Sequence, residues 1–156
     1  APQRGLLAKG LLLLSLRKRI TRENTLRTIY ELSEAEQSWD RTFTPDEIAT
    51  LRNQKIQSTI QSLERLKKEG KVISTDGHYR LTDAGRENAY RIVRNHRLWE
   101  MYLMHQEQFG AERVHKDADF VEHYLTKEAV HELEKLLHIH NRELKLPPSV
   151  HPLASM

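Results

Sequence analysis

Imidazoles and carboxylates recur in this sequence at intervals that bring side chains onto one face of a helix. His115, Asp119, Glu122 and His123 are separated by four, three and one residues, so on a helix they project together while Val114, Ala118 and Val121 point elsewhere. His96 and Glu100 repeat the four-residue interval earlier in the chain. Imidazole nitrogen with carboxylate oxygen suits Mn2+, Fe2+, Co2+, Ni2+ or Zn2+, whereas Mg2+ and Ca2+ prefer oxygen alone. The two neighbouring clusters read as ligands for a divalent transition metal. The competing reading is a solvated charged face, since 30% of the residues are charged.

Other chemistries lack their residues. There is no nucleophile elbow, phosphate loop or HExxH, and no evident general base or pocket for a small-molecule substrate, so an enzyme is not expected. The absence of cysteine excludes thiolate ligands and disulfides and fits a reducing cytosol. A chain of 156 residues holds one domain or two small ones. The apolar run Leu6 to Leu16 is interrupted by Lys9 and Gly10 and falls short of the roughly 20 residues a bilayer requires. The net charge is only +3, but Arg4, Lys9, Arg17, Lys18, Arg19, Arg22 and Arg27 stand against the single acid Glu23 in the first thirty residues. A basic front and a His-rich back imply different partners: a polyanion or anionic surface for one, a cation for the other.

The elements that must position these residues follow from periodicity and punctuation. Residues 1–20 form a basic, leucine-rich leader, read either as a juxtamembrane segment or as a leading amphipathic helix. Leu26, Ile29, Tyr30 and Leu32 recur at helical spacing and predict a core helix from Thr21 to about Gln37, with a polar loop over 33–43. Thr44-Pro45-Asp46-Glu47 opens a short helix to about Thr50, and Asn53 to Lys68 forms another, with Gly70 closing it. Lys71-Val-Ile-Ser, the Asp76-Gly77 turn and His78-Tyr-Arg-Leu81 make a hairpin. Together, 21–81 read as a winged helix-turn-helix.

Thr82-Asp83 then starts a long helix to about His105, with Ala84, Ala89, Ile92, Val93, Trp99, Tyr102 and Leu103 along its buried stripe. Further helices are expected over about 111–123 and from Thr126 to about His138, with an extended tail over 141–156. The fold class is mainly α: a winged helix with a small β-hairpin wing, followed by an all-helical domain over 82–140. On the helix beginning at Asn53, Lys55, Gln57, Ser58 and Gln61 face solvent, with Arg52 at the approach. Gln and Ser can read base edges and Lys and Arg can neutralise phosphates, so double-stranded DNA is a candidate partner.

The order His96-Arg-Leu-Trp-Glu100, then Val114-His115-x-x-Ala118-x-x-x-Glu122-His123, then Leu125-Thr-x-Glu128 resembles the diphtheria toxin repressor and manganese transport regulator family of metal-dependent, dimeric winged-helix repressors. The resemblance spans about residues 22–138. It implies one metal site at His96, Glu100 and His115 and a second to which Asp119, Glu122 and His123 contribute, holding Mn2+, Fe2+ or Zn2+. It also implies a homodimer, for which Trp99, Leu103 and Leu133 are the expected seam, and gives no metal role to His131, His138 or His140. Family members draw further ligands from positions matching Asn24 and, in manganese-type members, Arg27, which puts the completeness of the second site in question. The leader resembles the cytoplasmic exit from the last membrane helix of manganese, iron and zinc ABC-transporter permeases. The implied functions are a cytosolic metal-sensing domain at the inner face of the membrane, joined to a membrane-embedded permease portion, or alternatively a free metal-dependent DNA-binding repressor.

Overall fold

Leu, Ala, Lys and Arg dominate residues 6–19 and are strong helix formers, with no β-branched residue before Ile20. In the computed structural model, which describes residues 2–105 and 127–136, that leader is continuous with the first core helix: α1 runs from Pro2 to Ala35. It ends where Gln37 takes a φ of 52° and the Ser38 amide donates to Ser33 O at 3.0 Å, close to the expected stop at Gln37. The expected loop from residue 33 therefore starts a few residues later. The chain divides into two compact units, Ala1–Ala89 and Tyr90–Met156.

In the first unit, α2 (Pro45–Leu51) starts on a capping box. Glu47 N–H donates to Thr44 Oγ1 at 3.2 Å, and Thr44 N–H donates to Glu47 Oε2 at 2.7 Å. That backbone bond, aided by the Thr44 hydroxyl and Arg41, holds the Glu47 carboxyl below its ordinary range in spite of partial burial. Asn53 turns the chain with a φ of 49°, and α3 (Ile56–Lys68) begins after Lys55, later than the expected start at Asn53. Strands β1 (Val72–Thr75) and β2 (His78–Leu81) pair antiparallel from Val72↔Leu81 to Thr75↔His78. Asp76 and Gly77, with φ of 50° and 76°, make the tight turn that fits right-handed strand twist. Phe43 adds a bridge to Tyr79 through two backbone bonds of 2.8 Å. Leu26, Ile29, Phe43, Ile48, Leu63 and Leu66 are fully buried and form the centre of this core.

Thr82 joins the wing to α4 (Asp83–His105). Its Oγ1 accepts from Gly85 N–H at 3.0 Å and donates to Gly70 O at 2.7 Å, as the expected cap. A Cβ on Gly85 would lie 1.8 Å from Lys71 O, so the close approach of helix and strand entry requires glycine. The expected stripe holds at Ala89 and Val93, but Ala84 is exposed and Leu98, which periodicity did not single out, is fully buried.

In the second unit, α4 continues and α5 (Lys127–Leu136) follows. Arg94 and Glu134 form a 2.6 Å ion pair between them, with side chains 11% and 8% exposed. Leu133 is already 5% exposed within one chain, which leaves it little area to give to a dimer seam. The expected helix over 111–123 and the tail lie outside the described residues.

Candidate metal centre

One turn of α4 separates His96 from Glu100, and both side chains are inside the fold, 2% and 1% exposed. His96 Nε2 stands 3.0 Å from Glu100 Oε1. An imidazole and a carboxylate are seldom buried without a charge partner or a coordinated cation. The spacing also fits a shared ion: two donors each about 2.1 Å from one metal and at right angles to each other lie about 3.0 Å apart. Without metal the same distance is a hydrogen bond. The separation is thus one that two ligands of a single cation could have, and the nitrogen and oxygen donors suit Mn2+, Fe2+ or Zn2+.

Among the described residues no three His, Cys, Asp or Glu side chains converge on one point. The remaining candidates His115, Asp119, Glu122 and His123 lie outside the described residues. His131 is exposed and sits 3.7 Å from Glu134, whose other oxygen holds Arg94.

On α1, Asn24 keeps a buried Oδ1 with no hydrogen-bond partner among the described residues. Arg27 is 0% exposed and its Nε lies 3.6 Å from Glu31 Oε1. A guanidinium cannot ligate a cation, so this position serves the core of the first unit instead. Glu31 also pairs with Arg52 Nη2, and Arg52 Nε donates to Thr28 Oγ1 at 3.1 Å. Expected at the approach to a recognition helix, Arg52 is turned inward and only 12% exposed, tying the end of α2 to α1. Sequence reasoning missed this cluster, though the four-residue spacing of Arg27 and Glu31 on the core face of α1 carried the signal. Lys55, Gln57, Ser58 and Gln61 are exposed as expected.

A winged helix followed by a helical segment with a buried His–Glu pair defines a class, that of metal-dependent regulator domains. Residues 82–143 match the family model described as "Iron dependent repressor, metal binding and dimerisation domain", so over that span the chain is similar to iron-dependent repressors. It is 32% identical over 118 residues to the iron-dependent repressor IdeR of Mycobacterium tuberculosis, covering 75% of this chain and 50% of that protein. It is also similar to two membrane proteins. The manganese transport system membrane protein MntC of Bacillus subtilis is 29% identical over 144 residues, 91% of this chain and 32% of that one. A probable metal transport system membrane protein of Chlamydia trachomatis is 41% identical over 70 residues, 45% of this chain and 16% of that one. The chain therefore spans half or less of these relatives. Among solved structures, the manganese regulator SloR aligns with a TM-score of 0.66 and 29% identity over 76% of this chain and 54% of its own. ScaR with bound Zn2+ aligns with a TM-score of 0.61 and 28% identity over 76% and 54% of the two chains. These relatives are named for regulation and metal transport, in agreement with the expectation that the chain is not an enzyme.

Proposed function

We propose that this chain is the metal-sensing regulatory part of a metal-transport membrane protein, on the cytoplasmic side of the membrane and acting as a homodimer. The observation that carries the reading is the breadth of similarity to the manganese transport membrane protein, which takes in 91% of this chain yet only 32% of that protein. The continuous α1 supports it, because it runs from a leucine-rich segment directly into the winged-helix core. No helix among the described residues is long and apolar enough to cross a membrane, so the membrane-embedded portion would be a separate segment.

His96, Glu100 and His115 are the proposed ligands of one divalent cation, with Asp119, Glu122 and His123 contributing to a second site. Bound there, Mn2+, Fe2+ or Zn2+ would supply a cross-link between α4 and residues 115–123. The hydrogen bond between His96 and Glu100 holds both donors in place beforehand and so lowers the ordering cost of binding. Calorimetric titration with Mn2+ and Zn2+ tests the assignment. His96→Ala should weaken binding at least 10- to 100-fold, the range seen when even a supporting shell is damaged. Equal affinity in wild type and His96→Ala refutes it.

The exposed row of Lys55 at the start of α3 and Gln57, Ser58 and Gln61 along it favours a second reading, a free repressor that binds double-stranded DNA when metal is present. Arg52 is left out of that interface by its inward pairing.

A further inference from the structure

Leu11, Leu12, Leu13 and Leu14 are consecutive on α1 and between 54% and 68% exposed. At 100° per residue, four consecutive positions reach around most of a helix, so no single packing partner could cover them all. An apolar medium that surrounds the helix does so. Just beyond them the helix becomes basic, and Arg17, Lys18 and Arg22 line a cleft of about 360 Å³ whose opposite wall is α3, with Arg65 and Ser62. Ser62 is 7% exposed, and its buried Oγ has no hydrogen-bond partner among the described residues.

The charge around this cleft is unbalanced. Arg22 and Arg65 share the carboxylate of Glu69, at 3.1 Å and 3.4 Å. Burial tends to raise the Glu69 pKa, but Lys71, Arg22 and Arg65 outweigh it and hold the group lowered, so it is ionised at neutral pH. Arg17 and Lys18 form no ion pair among the described residues. Four cations with one shared carboxylate and an unsatisfied hydroxyl make a receptor for a phosphate-bearing anion.

We propose that the α1–α3 cleft binds the phosphate of an anionic phospholipid headgroup and seats the winged helix against the membrane. The source is argued from spacing. At 1.5 Å per residue, Arg17 to Arg22 lie about 4–12 Å along the helix from Leu14, and the headgroup layer beyond the hydrocarbon is about 5–8 Å thick. Leucines at acyl depth therefore place Arg17 and Lys18 among the phosphates, with Arg22 just beyond them. Ser58 and Gln61, two of the candidate base-reading residues, line the same cleft, so the face suited to DNA is turned to lipid. This inference deepens the membrane-linked reading and rests on it.

Co-sedimentation of the full chain with phosphatidylglycerol/phosphatidylcholine vesicles, against pure phosphatidylcholine, tests it. Wild type prefers the anionic vesicles. Arg17→Ala/Lys18→Ala lowers the partition coefficient about 30-fold, from about fivefold per basic residue at such a surface. Ser62→Ala, which removes no charge, lowers it about fivefold. Lys127→Ala/Lys135→Ala, on exposed residues of α5, leaves it unchanged. Equal losses in both double variants, with none in Ser62→Ala, would mean diffuse charge attraction and overturn the proposal. Two further arms use inorganic phosphate and a short duplex DNA of unrelated sequence. Binding of either that depends on Arg17 and Lys18, without a preference for phosphatidylglycerol, assigns the cleft to that anion and also overturns it. Mn2+ titration of the wild type separates the two readings, since no preference for anionic vesicles with metal binding intact rejects the lipid site alone.

Discussion

Glu31→Gln isolates the largest electrostatic commitment inside the winged-helix unit. The carboxylate faces two guanidiniums, Arg27 at 0% and Arg52 at 12% side-chain exposure, and is itself 11% exposed. Removing one partner of a buried ion pair costs about 3–5 kcal/mol because the other charge stays desolvated. Here the exposure of Arg52 and its bond to Thr28 soften the loss, and about 3 kcal/mol is expected. With a urea slope of about 1.5 kcal/mol per molar, the unfolding midpoint should fall by about 2 M at unchanged slope. A double-mutant cycle with Arg52→Met should return a coupling of about 1–3 kcal/mol. A midpoint shift corresponding to less than about 1 kcal/mol, the level of an exposed pair, would refute the claim that this cluster is desolvated and structural.

Gly85→Ala should destabilise the protein by about 1–3 kcal/mol in thermal melts, because the added methyl meets Lys71 O and backbone must move. Thr44→Ala should cost about 1 kcal/mol by removing the cap. It should also flatten the acid limb of the stability profile. Glu47 is depressed in the folded state, so its contribution is complete above the ordinary carboxylate pKa and is lost as pH falls through the lower folded value. Alkaline titration followed by tyrosine absorbance should show Tyr79 titrating late, because it is raised by burial and by its 2.8 Å bond to Glu64. Gel shifts on the gene's upstream region should show only weak, metal-indifferent binding. Metal-dependent binding that weakens steeply with salt would favour the free repressor instead.

The wing and the short helix were legible because their signals are local. Thr44-Pro45-Asp46-Glu47 encodes both halves of a capping box, and Asp76-Gly77 supplies two residues that tolerate positive φ. Arg52 was misplaced for the opposite reason: whether an arginine after a helix points outward depends on a carboxylate on another helix, here Glu31, and no local pattern reports that. The continuity of α1 was also hidden. A change from core-facing periodicity to all-round leucine looks like a boundary in sequence, although the backbone needs only helix-forming residues to continue through it.

Spacing made His96 and Glu100 candidates, and burial is what sets the pair apart from a solvated face. At an exposed site the same four-residue interval is a surface pair of small energetic consequence. At 2% and 1% exposure the two side chains have given up most of their water. Folding must then supply a compensating partner, and a mutual hydrogen bond alone leaves carboxylate lone pairs for further donors or a cation. Arg27 shows the reverse case. The resemblance implies a ligand there, yet the buried guanidinium beside Glu31 has turned the position into part of the core. Placing a carboxylate there by Arg27→Glu would set two acids one helical turn apart in the core, with Arg52 still paired to Glu31. Such a change should destabilise the winged helix before any metal could benefit from it. The proposed second site would accordingly draw no ligand from this position.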